Sequence, residues 1–366
     1  MHNFKKAILL VVFLLAALAA VNATMNYALI PYSYVRLMMH RITTEQYDTV
    51  FLGTSHGLNG INPKVVEEKT GQKSINLCLG GEFPEDAYFL LKKVCEKGIP
   101  KTVIYELDPG YWCTKQGPRG DFNRLYYEMP WSAAKLEYFA SKMLEMDFRA
   151  SFFPWFYYRG QFKNVKKNIS TKQTEDYKEY RIPNPEEIGW DFTDGFVNAP
   201  PSPGTEKRQE LTLWEEKDKN EESFRYFEKI AKFCRDKGIA LVAIITPVPK
   251  ETLEKYQDNY QEIDAYFSSY MKEQKVPLWN YNLPQRKIRG FDYSLNGFSD
   301  WEGHMDKDQA GRFSARLAKD LKNICPAGTQ IGGAYEMEEI HHFDHYPGRG
   351  FYQQHVGGSG DFRGSD

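Results

Sequence analysis

The 366-residue sequence lacks an excess of charge of either sign, a paired-cysteine motif and internal repeats. Its 47 basic and 49 acidic residues give a net charge of −2, which leaves no electrostatic basis for nucleic-acid binding. The five cysteines show no Cys-x-x-Cys spacing, and their odd number leaves at least one unpaired. We infer no disulfide framework from them and expect most to be buried thiols.

The longest uncharged apolar run lies at the N-terminus. Residues 7–21 (AILLVVFLLAALAAV) follow Lys5 and Lys6, and the apolar character extends to Ile30. Residues 7–21 alone are shorter than the ~20 residues of a spanning helix, whereas the extended segment reaches that length. We favour an uncleaved membrane anchor over residues 1–30; a signal peptide cleaved at Val21-Asn22-Ala23 is the alternative. Either way, the lysines stay inside and the bulk of the chain lies outside the cytoplasm.

Strand-like and helical segments alternate over two stretches of the chain, separated by a long interruption. The predicted strands are residues 48–55, 74–79, 102–107, 239–249 and 277–281. The predicted helices are residues 62–71, 84–98, 221–238, 251–274 and 307–324. Because helices separate the strands, the pattern predicts an α/β fold with a parallel sheet.

Three further segments complete the predicted organisation. Residues 31–47 form a helical, partly basic connector between the anchor and an α/β domain over residues 48–325. An aromatic-rich helical insertion occupies about 110–215, either packed on the edge of the sheet or serving as a rim that meets lipid or a long substrate. Residues 326–366 are rich in glycine and histidine, a composition typical of a disordered tail.

Chemistry-bearing residues follow the predicted strands. Ser55 comes after the first strand, Gly81 after the second, and Asp300 and His304 precede the last helix. In open parallel sheets, ligands bind beyond the carboxyl ends of the strands. Histidine can activate a serine hydroxyl, a carboxylate can orient that histidine, and glycine N–H groups can stabilise an oxyanion. We therefore assign the nucleophile to Ser55, the base to His304, its orienting carboxylate to Asp300, and the oxyanion hole to the N–H groups of Ser55 and Gly81.

Three segments resemble the SGNH/GDSL hydrolase superfamily, and they are most similar to its membrane-anchored branch of D-alanyl-lipoteichoic acid biosynthesis protein D (DltD-like). They are GTSH (53–56), NLCLGGEFPEDAYFLLK (76–92) and DWEGHMDKDQAGRFS (300–314). The resemblance covers about 45–110 and 220–325, together with the N-terminal segment. It implies a flavodoxin-like three-layer α/β/α fold and a Ser-His-Asp site outside the cell, used for acyl transfer or ester hydrolysis on a cell-envelope polymer.

The sequence departs from the pattern of that superfamily in two places. The aspartate often found three residues before the histidine is replaced by Trp301, which leaves Asp300 and Glu302 as candidates. No Gly-x-Asn follows the third strand, where Asp108 stands instead. We place Glu302, Asp108 and His56 around the site, with His56 in a turn or supporting role rather than as the base.

Other ligand classes find less support around Ser55. A metal site built from His56, His304 and Asp300 lacks the usual ligand spacing. A phosphate cradle would require more glycine and a lysine. We predict neither a metal nor a cofactor.

Two functions follow from this interpretation. The first is an extracytoplasmic, membrane-anchored acyltransferase or esterase. It would use a cell-wall or surface polymer as acceptor and a membrane-bound acyltransferase as partner. The second is a binding or assembly protein that keeps the fold with impaired catalysis. The separation between the Ser55 hydroxyl and the His304 ring distinguishes them, because an enzyme requires hydrogen-bond reach.

Overall fold

The computed structural model describes residues 2–117, 120, 122–183, 191–193, 195–198 and 211–324. The predicted tail over residues 326–366 lies outside them. The strands are β1 (Thr49–Leu52), β2 (Ser74–Asn76), β3 (Thr102–Glu106), β4 (Asp191–Thr193), β5 (Phe196–Asn198), β6 (Ala240–Ile245) and β7 (Leu278–Asn280).

The described α-helices lie between residues 2 and 324. The first group is α1 (His2–Leu29), α2 (Tyr34–Thr44), α3 (Ser55–Gly60), α4 (Pro63–Thr70) and α5 (Pro84–Lys97). The second group is α6 (Phe122–Glu128), α7 (Ala133–Tyr138), α8 (Leu144–Phe152), α9 (Val165–Gln173) and α10 (Glu175–Lys178). The third group is α11 (Glu221–Lys237), α12 (Lys250–Lys255), α13 (Gln257–Glu273) and α14 (Lys307–Ile324).

Five strands form a parallel sheet in the order β2-β1-β3-β6-β7. Thr49 pairs with both Ser74 and Thr102, and Thr102 also pairs with Ala240. The chain moves outward from β1 to β2 and then returns past β1 to β3. Right-handed crossovers therefore place α4 and α5 on opposite faces. This confirms the predicted flavodoxin-like α/β fold class and creates a topological switch point between β1 and β3.

The strands are apolar because both faces of the sheet are covered. All four residues of β1 and all six of β6 are buried. On the helical layers, α4 contacts α14 and α5 contacts α11. A continuous apolar core of this kind is typical of parallel sheets enclosed by helices.

Local signals set the ends of the crossover helices. Pro63 begins α4 after Asn62, whose Oδ1 accepts the Lys64 N–H at 3.1 Å, and the helix ends at Gly71 with φ 71°. At α11, Asn220 caps the first turn and Gly238 ends the helix with φ 70°. These are ordinary capping contacts, which explains why the sequence predicted these helices closely.

All five predicted strands are shorter in the structure, and the first two end early because of turns beside Ser55. The first ends at Leu52, because Gly53 and Thr54 turn the chain into α3. The second ends at Asn76, whose Oδ1 accepts the Cys78 N–H at 3.0 Å in an Asx turn. The side-chain amide of Asn76 also donates to the carbonyls of Gly57 and Ile61, both at 2.8 Å. These bonds tie the second strand to α3.

The predicted helix over residues 251–274 is divided in two. Tyr256 leaves helical geometry, with φ −119° and ψ 35°, between α12 and α13. The predicted connector, by contrast, contains a helix that belongs to the core. Five residues of α2 are buried in the main apolar cluster, namely Tyr34, Val35, Met38, Met39 and Ile42.

The described part of the insertion contains α6 to α10 and the β4–β5 ribbon. It is fixed to α5 through Asp86, which is buried and accepts hydrogen bonds from Tyr138 and Lys142 of the insertion. Gln116 also donates to Asp86, at 2.8 Å. The insertion also reaches the helix that begins at Ser55, because Asn59 of α3 donates to the Val197 carbonyl of β5.

Candidate active site

The turn that carries Ser55 is built at the carboxyl end of β1, beside the switch point. Gly53 has φ 141°, and a Cβ atom there would lie 2.6 Å from both Cβ and the carbonyl oxygen of Glu106. Only glycine fits this close approach without strain. Thr54 then caps α3, and its Oγ1 accepts the His56 N–H at 3.4 Å. Ser55 becomes the first residue of the helix.

A buried carboxyl group stabilises that turn by hydrogen bonds. Glu106, the last residue of β3, accepts the Thr54 N–H at 2.7 Å and the Thr54 hydroxyl at 2.9 Å on the same Oε2 atom. Burial and the neighbouring Asp108 raise the pKa of Glu106 to about 8. The glutamate therefore connects the ends of β1 and β3 immediately behind Ser55. We did not predict this role, although a carboxylate ending an apolar strand could have indicated it.

His304 reaches Ser55 from a short loop before α14. The loop is closed by the Ser299 N–H, which donates to the His304 carbonyl at 2.8 Å. Gly303 has φ 116° and packs against Val248, so a side chain at this position would be strained. The Trp301 carbonyl accepts the Thr252 hydroxyl at 2.7 Å, which fixes the loop to α12.

The structure brings Ser55, His304 and Asp300 into one hydrogen-bonded chain. The Ser55 Oγ atom lies 2.7 Å from His304 Nε2, and His304 Nδ1 lies 2.6 Å from Asp300 Oδ2. Asp300 Oδ1 accepts the N–H groups of Gly303 and His304 at 3.0 and 3.2 Å. Glu302 is farther away, with its Oε2 atom 3.8 Å from His304 Nδ1. The geometry favours Asp300 as the partner of the imidazole.

The charges of the three groups are strongly coupled. Burial raises the pKa of Asp300, but the hydrogen bond and charge of His304 outweigh it and lower that pKa to about 2. Burial lowers the pKa of His304, but the hydrogen bond and charge of Asp300 outweigh it, so this pKa rises above its usual range. Asp300 is thus anionic at neutral pH and stabilises a protonated His304.

His56 lies beside the site and differs electrostatically from His304. Its ring centroid is 4.8 Å from that of His304, and its Nδ1 atom is 3.5 Å from Asp108 Oδ2. Burial and the charge of His304 lower the pKa of His56 to about 4, so the ring is neutral at physiological pH. Burial raises the pKa of Asp108 to about 6. Both residues line the site, but neither forms a hydrogen bond with Ser55 Oγ in the described structure.

His56, Glu302 and His304 also form the one group of potential metal ligands found among the described residues, with ligand atoms within 4.8 Å of one another. Both ring nitrogens of His304 already face partners, Asp300 on one side and Ser55 on the other. A metal ion at this site would have to displace one of these hydrogen bonds. The donor set therefore fits the serine–histidine–aspartate arrangement better than it fits a metal.

The site opens into a cavity of about 320 Å³. Ser55, His56, Gly81, Asp108 and His304 line it. The returning end of the insertion, residues 211–214, forms another part of the cavity wall and packs against the segment after β3. The sequence did not indicate this part of the cavity, because the segment is irregular and lies about 100 residues away from its neighbour along the chain.

From the sequence, we predicted Gly81 as the second oxyanion donor. It lies on the rim of the same cavity as Ser55, with φ 68°. Its N–H makes no hydrogen bond within the described part of the chain. It is therefore available to an acceptor in the cavity.

Comparisons with known proteins assign this chain to no family. No family model matches the chain, and no curated protein matches it. Among solved structures, it is similar to a GDSL-like lipase from Bacteroides thetaiotaomicron, with a TM-score of 0.35 and 8% sequence identity. The match covers 75% of this chain and 88% of the lipase. A likeness of this size carries no information about activity.

Proposed function

We propose that this protein is a membrane-anchored serine acyltransferase or esterase of the SGNH type, acting outside the cytoplasm. The observation that carries the proposal is the hydrogen-bonded chain from Ser55 through His304 to Asp300, located in the crevice at the switch point of a parallel sheet. Such a chain activates a serine hydroxyl that is otherwise a poor nucleophile.

The first half-reaction places an acyl group on Ser55. Its Oγ atom attacks the acyl carbonyl carbon while His304 Nε2 accepts the hydroxyl proton, and Asp300 stabilises the resulting imidazolium. The N–H groups of Ser55 and Gly81 receive the oxyanion of the tetrahedral intermediate. When that intermediate collapses, the bond to the donor's leaving oxygen breaks, and His304 returns the proton to this oxygen.

The second half-reaction transfers the acyl group to a hydroxyl. His304 removes the proton of the incoming hydroxyl, whose oxygen attacks the ester carbonyl and releases Ser55 with its proton restored. Water as acceptor makes the protein an esterase, and a polymer hydroxyl makes it a transferase. The resemblance to the DltD-like branch favours a cell-envelope polymer such as teichoic acid or a polysaccharide, with a membrane-bound acyltransferase supplying an acyl group such as D-alanyl or acetyl.

The N-terminal helix α1 bears on the location of the protein. Helix α1 is long and apolar enough to cross a membrane, and its apolar side chains are exposed. A signal sequence meets the same criteria, so length and composition support either an anchored or a secreted protein. We propose the anchored form, with Lys5 and Lys6 on the cytoplasmic side.

The alternative of a catalytically impaired binding protein is less favoured by the geometry. Such a protein has no need to keep a 2.7 Å contact between Ser55 and His304, or a second contact of 2.6 Å to Asp300. An aromatic insertion and a missing asparagine after β3 are compatible with both functions. The separation of the two side chains therefore supports the enzyme.

Acylation by an activated ester tests the chemistry directly. The full-length protein in detergent is mixed with p-nitrophenyl acetate, and the acetylated residue is identified by peptide mass spectrometry. We expect rapid acetylation of Ser55, abolished by Ser55→Ala and His304→Ala but not by Ser170→Ala, which changes an exposed serine on α9. Unchanged acetylation in Ser55→Ala would contradict the proposal. Added glycerol, as a simple polyol acceptor, separates transfer from hydrolysis.

A further inference from the structure

The carboxyl end of α1 is bound by the insertion. Lys172 donates to the carbonyls of Tyr27 and Ile30, both at 2.7 Å, and Asn168 donates to the Leu29 carbonyl at 3.0 Å. The last carbonyl groups of a helix have no hydrogen-bond partner within the helix, and these side chains supply one. A lysine at this end also interacts favourably with the helix dipole. Both donors are on α9. The apolar helix therefore leaves the domain from a fixed point on the insertion.

The contact extends along α1 toward its N-terminus, as far as the end of the apolar run. The Trp155 N–H donates to Asn26 Oδ1 at 2.9 Å, and Asn22 donates to the Phe152 carbonyl at 3.4 Å. Asn22 follows the apolar residues 7–21 directly. The segment from Phe152 to Trp155 thus lies against the last turns of the helix that would leave a bilayer.

The length of α1 determines how deep this contact lies. Residues 7–21 extend only about 22 Å at 1.5 Å per residue, whereas the hydrocarbon layer is about 30 Å thick. Lys5 and Lys6 prevent the apolar run from extending at its amino end, so the missing length must come from residues 22–26. These are the residues that contact the insertion. Asn26 then lies at the membrane interface and Asn22 about 6 Å below it, which places Trp155 and Phe152 at or just below the interfacial layer.

The side chains exposed on this part of the insertion suit that layer. Phe148 and Phe152 are one helical turn apart on α8 and are 60% and 55% exposed, and Phe162 is 61% exposed. Each would present a large apolar surface to water if the domain stood clear of the bilayer. Phenylalanine is typical of the apolar face of segments that lie in the membrane interface, together with lysine and arginine on the polar face.

Positive charge is concentrated in the segment of the insertion that contains Phe162 and continues into α9. Residues 159–172 contain five basic residues and no acidic residue. Four of the five, Arg159, Lys163, Lys166 and Lys167, are exposed, and the three lysines among them have no ion pair with a described residue. Each basic residue near an anionic bilayer surface contributes about 1 kcal/mol.

We propose that Phe148, Phe152, Phe162 and the lysines at 163, 166 and 167 form a second membrane contact, which binds the interface of an anionic phospholipid bilayer beside α1. The occupant is lipid, because the surface is continuous with the apolar helix and complementary in charge to anionic headgroups. Two contacts with the membrane restrict the tilt of the domain more than α1 alone would. The cavity at Ser55 is then held in one orientation toward substrates close to the membrane. This inference rests on the proposed insertion of α1 and not on the proposed chemistry.

Depth-dependent fluorescence quenching tests the contact in the full-length protein. Single cysteines replace Phe148, Phe152, Phe13 of α1 and Ile99, and each variant carries an environment-sensitive NBD label in phosphatidylglycerol-containing vesicles with or without brominated lipid. Ile99 is the matched control, an apolar residue that is 55% exposed and lies before β3. The wild-type protein, treated identically, reports labelling of native thiols.

We expect the labels at residues 148 and 152 to emit at shorter wavelength and to be quenched by brominated lipid, whereas the label at residue 99 is not. Quenching at residue 13 but not at 148 or 152 would overturn the second contact and leave the anchor intact. Absence of quenching at residue 13 would overturn the anchor itself. A blue shift without quenching would indicate a protein partner and would also overturn the proposal. Lys163→Glu combined with Lys166→Glu and Lys167→Glu should reduce quenching at 148; no reduction would contradict the role of anionic lipid.

Discussion

Replacement of Asp300 by asparagine separates the role of its charge from its role in shaping the loop. The side chain introduced by Asp300→Asn retains an Oδ1 atom that can accept the N–H groups of Gly303 and His304, which Asp300 binds at 3.0 and 3.2 Å. The loop should therefore keep its shape. The anionic contact to His304 Nδ1, 2.6 Å in the structure, is lost.

The magnitude follows from the coupling between the two groups. The pKa of Asp300 falls from 3.8 to about 2 through His304, against the opposing effect of burial. A change of this size corresponds to about 2.5 kcal/mol of interaction with the protonated imidazole. Loss of that stabilisation alone slows acylation about 60-fold. An asparagine that also selects the wrong tautomer of His304 brings the loss to about 10⁴-fold.

The assay is the initial rate of p-nitrophenyl ester cleavage as a function of pH, with circular dichroism as a check of folding. Glu302→Gln is the matched control, because its carboxylate is 3.8 Å from the same nitrogen. A peripheral ion pair of this kind contributes about 0.2–1 kcal/mol, so we expect at most about a fivefold loss. Less than about a tenfold loss in Asp300→Asn, or an equal loss in both variants, would refute the assignment of Asp300.

Three further predictions concern pH and the turn at Ser55. The wild-type rate should fall as pH decreases through the raised pKa of His304, because only the neutral ring accepts a proton; a rate that rises on acidification would argue against His304 as base. Gly53→Ala should lower the free energy of unfolding, measured in urea, by about 3 kcal/mol, because the new methyl group overpacks against Glu106 and the backbone is strained. Gly71→Ala is the control: its methyl group meets open space, so the free energy of unfolding should fall by only about 1 kcal/mol. Because the pKa of Glu106 is raised, the free energy of unfolding of the wild-type protein should fall by up to about 5 kcal/mol as pH rises from 4.5 through about 8. Glu106→Gln should remove this part of the dependence of stability on pH. An equal dependence on pH in both proteins would contradict the raised pKa.

The sequence predicted the fold class because its signals are local. Apolar runs of strand length alternate with capped helices such as the one between Asn62 and Gly71, and this pattern alone requires parallel crossovers. The order of the strands was not available from such signals. It depends on which side of β1 the third strand adds, and this choice is made by tertiary packing.

The candidate site was predictable to the extent that its residues follow strand ends. Ser55 and His304 are 249 residues apart, and the topology of a parallel sheet was sufficient to suggest that they meet. The choice between Asp300 and Glu302 required the geometry of the loop. The contact between Thr54 and Glu106 and the cavity wall at residues 211–214 escaped prediction, because they depend on side-chain reach and on the path of an irregular insertion.

Labelling with a fluorophosphonate probe shows whether His304 activates Ser55. The full-length protein is treated with the probe, and the modified peptide is identified by mass spectrometry. We predict a single adduct on Ser55 that is lost in Ser55→Ala and His304→Ala and strongly slowed in Asp300→Asn. A folded wild-type protein that remains unlabelled, or that is labelled equally well in His304→Ala, would contradict the claim.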